Sequence, residues 1–406
     1  MSVCVPELLA PAGNMEKLET ALYYGADAVY LGGPELSLRT AATGFNPEQL
    51  KKALVLARAR QAKVYYALNI LAWEHHLDHV HAELELLAGC EPDGLIIADP
   101  GIFMLARDIV PHIPIHLSTQ ANTSNSLSIR FWQQQGAQRV NLARELGRTA
   151  LAAARQAAPD MELEVFVHGA MCMAVSGRCL MSFYLNSRLA NHGLCTHPCR
   201  FDYRPVAFRV EEKQRGEEVW DVEQRGDFTR IFGAEDLCLL PCLSELVGLG
   251  LTSLKIEGRM KTSSYLAPVV DVYRAALNTL ASGGNFDCQA GMAELAKTTT
   301  RPLGSGFFLP EKKIFVGPDT KRPQIVARIL EPAGRGMWRV SVKSPWSAQS
   351  ELEVLLPGLR RPGLRPGDYG LENSRGERLE HVHPGTDVFL RCELPELEPC
   401  QFLRGS

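Results

Sequence analysis

The stretch PELLAPAGNMEKLETALYYGADAVYLGG, residues 6–33, places a strand, a helix and a second strand in immediate succession. PELLAPAG and DAVYLG are short apolar runs of strand character. Between them, Met15, Leu18, Leu22 and Tyr23 fall on one helical face. Asn14 stands where an N-cap belongs, and Gly25 stands where a helix stops. The turn after the first strand separates two architectures. An open, doubly wound sheet wants a glycine-rich phosphate turn there, and APAGN offers a single glycine, Gly13.

Outward from this unit the alternation continues to about residue 280. KVYYALNI, GLIIADP, IPIHLSTQ, RVNLARE, LEVFVHGA and SLKIEGR bring the strand-like runs to eight, with amphipathic segments such as NPEQLKKALVLARARQ between them. Eight strands separated by helices predict an α/β fold, a closed (β/α)8 TIM-like barrel over residues 1–285. Polar residues recur at or just past the ends of the runs: Asn69, Asp99, Gln120, Glu145, His168 and Glu257. In a barrel those positions converge on the C-terminal face, where this architecture carries its chemistry.

The rhythm breaks after the seventh strand. From about 170 to 235 the chain carries a cysteine-rich insertion that opens HGAMCMAVSGRCLMSFYLNSRLANHGLCTHPC, residues 168–199. It is therefore expected over the barrel mouth. Residues 286–310, with TTTRPLGSGF, read as a linker. Residues 311–406 read as a small β-rich domain, a β-barrel of short strands parted by Pro/Gly turns.

Composition narrows the function classes. The chain is 46% hydrophobic and 22% charged, as globular proteins are. No apolar run of ~18 residues is present to span a bilayer. The opening residues carry no basic or apolar leader, so a cytoplasmic protein with no membrane partner is expected. Eleven cysteines are then expected to be thiols or metal ligands rather than disulfides. A net charge of −3 gives no general attraction to nucleic acid. One local run does: residues 311–343 hold eight Lys/Arg against three acids, and Lys312, Lys313, Lys321 and Arg322 are the candidates for gripping phosphate.

Cys172, Cys179, Cys195 and Cys199 follow C-x6-C-x15-C-x3-C. Four thiolates suit either structural zinc or an iron–sulfur cluster, and buried free cysteines are the third possibility. A protease's parts are missing: there is no H-E-x-x-H and no G-x-S-x-G. His75 and His79 stand one helical turn apart, a spacing for a metal pair or for a solvated helix start. Cys172 and His168 offer a Cys–His dyad, but a thiolate committed to a metal is no longer a nucleophile.

FVHGAMCMAVSGRCLMSFYLN resembles the signature of the U-32, collagenase-like peptidase family. PELLAPAGNMEKLETALYYGADAVYLGG, HLSTQANTSNSLSIRFWQQQGAQRVNLAREL and SLKIEGRMKTSSYLAPVVDVYRAALN resemble it in the same order. HLSTQAN, GLCTHPCRFDY and SLKIEGR bring the chain nearest to a tRNA-hydroxylating branch. That resemblance implies a 4Fe–4S cluster on Cys172, Cys179, Cys195 and Cys199, with Cys238 as the alternative to Cys199. It also implies oxygen-independent conversion of the tRNA wobble uridine to 5-hydroxyuridine, dependent on prephenate, with tRNA and the iron–sulfur assembly machinery as partners. Peptidase activity, or hydroxylation of ribosomal RNA or a quinone, is the alternative. In this reading His168, Glu145 and Glu257 are catalytic acid/base candidates. Arg144, Lys255 and Arg259 hold a phosphate or a carboxylate, and Asn69 and Gln120 contact substrate.

Overall fold

The structure, a computed structural model, describes residues 5–34, 36–37, 44–171, 235–309, 311, 314–318 and 322–405, with the backbone of 223–225 and 228–230. The opening unit folds as its pattern implies. The strand Glu7–Pro11 is followed by the helix Met15–Tyr23, whose first turn is capped by the Asn14 side chain accepting from Lys17 N. Gly25 takes φ +96°, which a residue with a Cβ resists. Leu18 and Leu22 are buried, and Met15 and Tyr23 pack partly against the same core.

The second strand, Ala28–Leu31, lies parallel to the first, with Leu9 opposite Ala28. The next six barrel strands are Lys63–Leu68, Gly94–Ile97, Ile115–Leu117, Arg139–Asn141, Glu162–Ala170 and Ser253–Ile256. Each pairs in parallel with its predecessor. The eighth closes the ring, pairing Ser253 with Glu164 of the seventh and with Glu7 of the first. Both faces of such strands are covered, so they read as nearly continuous apolar runs. The (β/α)8 TIM-like barrel is the observed fold.

The seventh strand is the longest in the barrel and runs past the ring. Its last three residues pair antiparallel with Asp236–Cys238, which continues through Leu303–Gly304 to Ile314–Val316 as a side sheet. Residues 286–310 accordingly do more than connect. They contain the helix Cys288–Ala296 and bury Leu303, Ser305 and Phe308.

A separate, curled antiparallel sheet follows, built in order from Gly363–Leu364, Leu352–Leu355, Phe402–Gly405, Ile325–Gly334, Met337–Val342, Val388–Cys392 and Tyr369–Glu372. Its own core holds Ile329, Val354, Leu390 and Leu403. It docks on the barrel helices through charged groups. Arg404 reaches Glu294 with two nitrogens at 2.8 and 3.0 Å and Glu353 at 2.7 Å. Arg361 reaches Asp271 at 2.8 Å and Glu294 at 2.9 Å. Asp271 also accepts from the backbone N–H of Gly358 and Leu359. Among the described residues, no helix is long and apolar enough to cross a membrane.

Candidate active site at the barrel mouth

A cleft of about 80 Å³ opens where the strands end. Asn69 after strand three, Gln120 after strand five, Asn141 and Arg144 around the end of strand six, and Lys255, Glu257 and Arg259 of strand eight and its loop all line it. Six of the residues expected from sequence are thus brought together: Asn69, Gln120, Arg144, Lys255, Glu257 and Arg259. Tyr30 and Phe166 supply its aromatic walls.

Two of the three cations lie over π faces. Arg144 lies 3.8 Å above the Phe166 ring and 3.7 Å from the Glu257 carboxylate. Lys255 Nζ sits 4.5 Å from the Tyr30 ring centre and donates to Glu164 at 2.8 Å. Arg259 donates to Ser37 Oγ at 2.7 Å. Three cations and one carboxylate at the cleft favour an anionic ligand. Gln120 is buried, and among the described residues both atoms of its amide lack a hydrogen-bond partner. A buried amide left this way is costly, so it is poised to meet a ligand.

Beneath the cleft lies a charged core that the sequence reading missed. Arg139 meets Glu7 at 2.7 Å, Glu162 at 2.8 Å and Glu164 at 3.4 Å. Asn141 Nδ2 donates to Glu164, and Tyr65 donates to Glu7. Burial would raise the Glu164 pKa, but Lys255 and Arg139 hold it below its ordinary value. His116 packs edge-on to Tyr65 with ring centres 4.5 Å apart, and burial holds its pKa down to about 3. The available signal was a charge inside an apolar run: Glu164 stands between Leu163 and Val165, at the inward register shared with Phe166.

His168 and Glu145 are placed elsewhere. The pairing of strands seven and eight shifts between Lys255–Phe166 and Ile256–His168, an irregularity that adds Val167. One extra residue reverses the faces that follow it. The His168 ring consequently lies against Tyr273 and Tyr265 of the outer helix Ser263–Ala281, with Nδ1 3.5 Å from Tyr273 Oη. Burial lowers its pKa to about 3. The adjoining Gly169 takes φ +108°, and a Cβ there would collide with the backbone of Glu257. Glu145 is half-buried and is not among the residues lining the cleft. Asp99 serves as a helix cap, accepting from the N–H of Gly101 and Ile102.

Cys172, Cys179, Cys195 and Cys199 lie outside the described residues. Both ends of their segment are nevertheless tied at the mouth, because Ala170 pairs with Asp236. Four thiols close together in sequence are a donor set that suits a soft metal or an iron–sulfur cluster. Among the described residues there is no group of three or more potential metal ligands; His75 and His79 are exposed on the surface. Cys238 is fully buried, 3.7 Å from both Tyr273 Oη and Met292 Sδ, and burial pushes its thiol up to about 12. That setting favours the thiol over the thiolate a metal requires.

The basic run in the C-terminal part divides. Arg328 is buried and pairs with Glu19, Lys343 pairs with Glu16, and Arg339 bridges Glu331 and Asp387. Arg322 is exposed and donates to Thr299 O at 3.2 Å. Lys312, Lys313 and Lys321 lie outside the described residues.

Fold and site together define a barrel protein that gathers cations, amides and a carboxylate at its C-terminal mouth. Residues 13–315 match the model of peptidase family U32, and the chain belongs to that family. It is 34% identical to the tRNA hydroxylation protein P of Escherichia coli, over 96% of this chain and 94% of that one. Its identity to the protein of that name from Helicobacter pylori is 43%, over 67% of this chain and 64% of the relative. A Porphyromonas gingivalis protein named collagenase is 29% identical over 75% of this chain and 74% of its own. A solved U32 peptidase superposes with a TM-score of 0.41 at 14% identity, covering 63% of this chain and 94% of that one.

Proposed function

We propose that this protein is a tRNA-modifying enzyme that hydroxylates the wobble uridine to 5-hydroxyuridine, without molecular oxygen, as an iron–sulfur protein. The observation that carries the reading is the end-to-end similarity to the Escherichia coli tRNA hydroxylation protein P, 34% identical over 96% of this chain. The cleft supports it, since a base taken out of its stack meets aromatic walls and amide groups there.

The cluster would be held by Cys172, Cys179, Cys195 and Cys199, loaded by the iron–sulfur assembly machinery, and it supplies one-electron chemistry when bound. The chain's own residues orient the substrate. Gln120 and Asn69 read the polar edge of the base, Arg144, Lys255 and Arg259 hold the nucleotide's phosphate or a carboxylate co-substrate such as prephenate, and Glu257 takes or returns a proton at its carboxylate. His168 acts on the packing of strand seven rather than on substrate.

Deleting the gene and profiling tRNA nucleosides by mass spectrometry tests the reading. Loss of 5-hydroxyuridine derivatives is expected, and an unchanged profile overturns it. Protein purified without oxygen should carry about four irons and four sulfides per chain; stoichiometric zinc instead would overturn the cluster. Cys199→Ser should lose the iron, while Cys238→Ser should keep it. The likeness to the protein named collagenase favours a second reading, peptidase activity, which gelatin hydrolysis by the iron-loaded protein would reveal.

A further inference from the structure

A hollow larger than the cleft lies on another face of the barrel's rim. A groove of about 780 Å³ runs between the barrel and the C-terminal sheet. Lys17, Lys261, Lys297, Arg322, Lys343 and Arg404 line it, against one carboxylate, Glu16. Some of this charge is already used. Lys343 lies 3.1 Å from Glu16, Lys261 3.7 Å from Asp236 and Lys297 3.4 Å from Glu294, while Arg404 is committed to Glu294 and Glu353. Counting Glu16, Asp236, Glu294 and Glu353 against the six cations still leaves the groove at +2.

Its position matters as much as its charge. The loop after strand eight serves both hollows: Arg259 lines the cleft, and Met260, Lys261 and Thr262 line the groove. Lys17 ties the two together by donating to Arg259 O at 2.8 Å. Met260, on that shared loop, is 46% exposed. The helices Met15–Tyr23 and Ser263–Ala281 both begin at the groove, at Asn14 and Thr262, and their dipoles add to the positive potential.

We propose that this groove is the phosphate-backbone track for the RNA whose base enters the cleft, so that one strand crosses the Arg259–Thr262 loop from one to the other. The proposal rests on the tRNA reading above and adds where the polynucleotide lies. A chain of phosphates explains an open, cationic groove neighbouring a small, walled cleft across one loop better than a small anion does, since one anion needs only a few of these donors. Contacts of this kind are blind to sequence and release counterions.

The test is the triple variant Lys297→Gln, Arg322→Gln, Lys343→Gln. These side chains stand at the groove and leave the Arg404–Glu294 pair intact. Binding of unfractionated tRNA to the iron-loaded full chain is measured by fluorescence anisotropy across a salt series. The slope of log affinity against log salt should fall by about 1–2, less than one per cation removed because Glu16 and Glu294 already partly neutralise Lys343 and Lys297. Affinity should drop at least about tenfold at physiological salt, equally for substrate and non-substrate tRNAs. A thermal melt checks that the variant is folded; a variant that melts early is replaced by Arg322→Gln alone, for which a slope change of about 1 is expected. Unchanged slope and affinity in a folded variant overturn the groove while leaving the tRNA reading standing. Affinity lost for inorganic phosphate but kept for tRNA also overturns it, and makes the groove a small-anion site. Failure of the reading itself would show separately, as wild-type protein that neither binds tRNA nor changes the nucleoside profile when deleted.

Discussion

The barrel interior and the seam beneath the C-terminal sheet both bury arginines among carboxylates, yet they finish the job differently. Around Glu294 and Asp271 at the seam the accounts close. Glu294 is met by three nitrogens of Arg361 and Arg404, and Asp271 by Arg361 and two backbone N–H groups. In the barrel, Arg139 and Glu164 are as well held at the bottom, but the top is left open, with the Gln120 amide and Asn141 Oδ1 lacking partners among the described residues. Buried polar groups are normally satisfied. A closed network fixes two domains in place, and an open one waits for a ligand.

The largest effect expected from this contrast is at the seam. Glu294→Ala strips buried Arg404 and Arg361 each of one of two carboxylate partners, leaving Glu353 and Asp271, and should destabilise the fold by about 2–3 kcal/mol, short of the usual result of fully orphaning one member of a buried pair. Denaturant unfolding measures it. A loss under 1 kcal/mol would mean that the seam is wetter than its geometry says.

Acid should separate the two regions. Burial alone would raise the Glu294 pKa, but Arg404 and Arg361 outweigh it and hold the carboxyl down to about 2, from 4.5. Its stabilisation is present above 4.5 and is lost as pH falls from there through about 2. His116 is lowered from 6.5 to about 3, mainly by burial and then by the Arg139 charge. The unfolded chain takes up that proton below 6.5 and the folded chain does not, so stability present above 6.5 declines as pH falls towards about 3. The barrel therefore weakens first. Between pH 6.5 and 4.5 His116 should cost about 2–3 kcal/mol, and His116→Phe should remove that part of the slope in denaturant melts. A wild-type stability flat over this window would break the distinction.

How much of this was legible follows from range in sequence. The eight strands could be read because each is a local apolar run bounded by turns, and the mouth residues because they follow those runs directly. The seam could not: Asp271 meets Arg361 and Glu294 meets Arg404 across 90 and 110 residues, and a salt bridge leaves no periodicity. The linker reading of 286–310 failed to register Leu303 and Phe308 as core residues because so short an apolar signal resembles any loop. His168 shows a subtler limit. Its alternation with Glu164 and Phe166 points inward, and only the pairing shift at Lys255–Ile256 turns it out. A bulge is a property of two strands, visible in neither alone.

The smallest expected change in stability carries the sharpest test. Gln120→Met keeps the volume and removes an amide whose two polar atoms meet no partner among the described residues. Replacing an unsatisfied buried polar group by an apolar one is neutral or stabilising, so the midpoint of unfolding should shift by less than about 1 kcal/mol, and upward if at all. Activity should move the other way. If the amide hydrogen-bonds the base, its loss leaves the bound substrate's polar edge unpaired in a small cleft, and sites of that kind reject such mismatches strongly. Wobble hydroxylation should fall at least about tenfold, with tRNA affinity through the groove unchanged. At the seam, removing a polar group destroys stability; at the mouth, it should destroy function and leave stability alone. A Gln120→Met protein that is markedly less stable would place that amide in the architecture, and one that hydroxylates normally would place the substrate elsewhere.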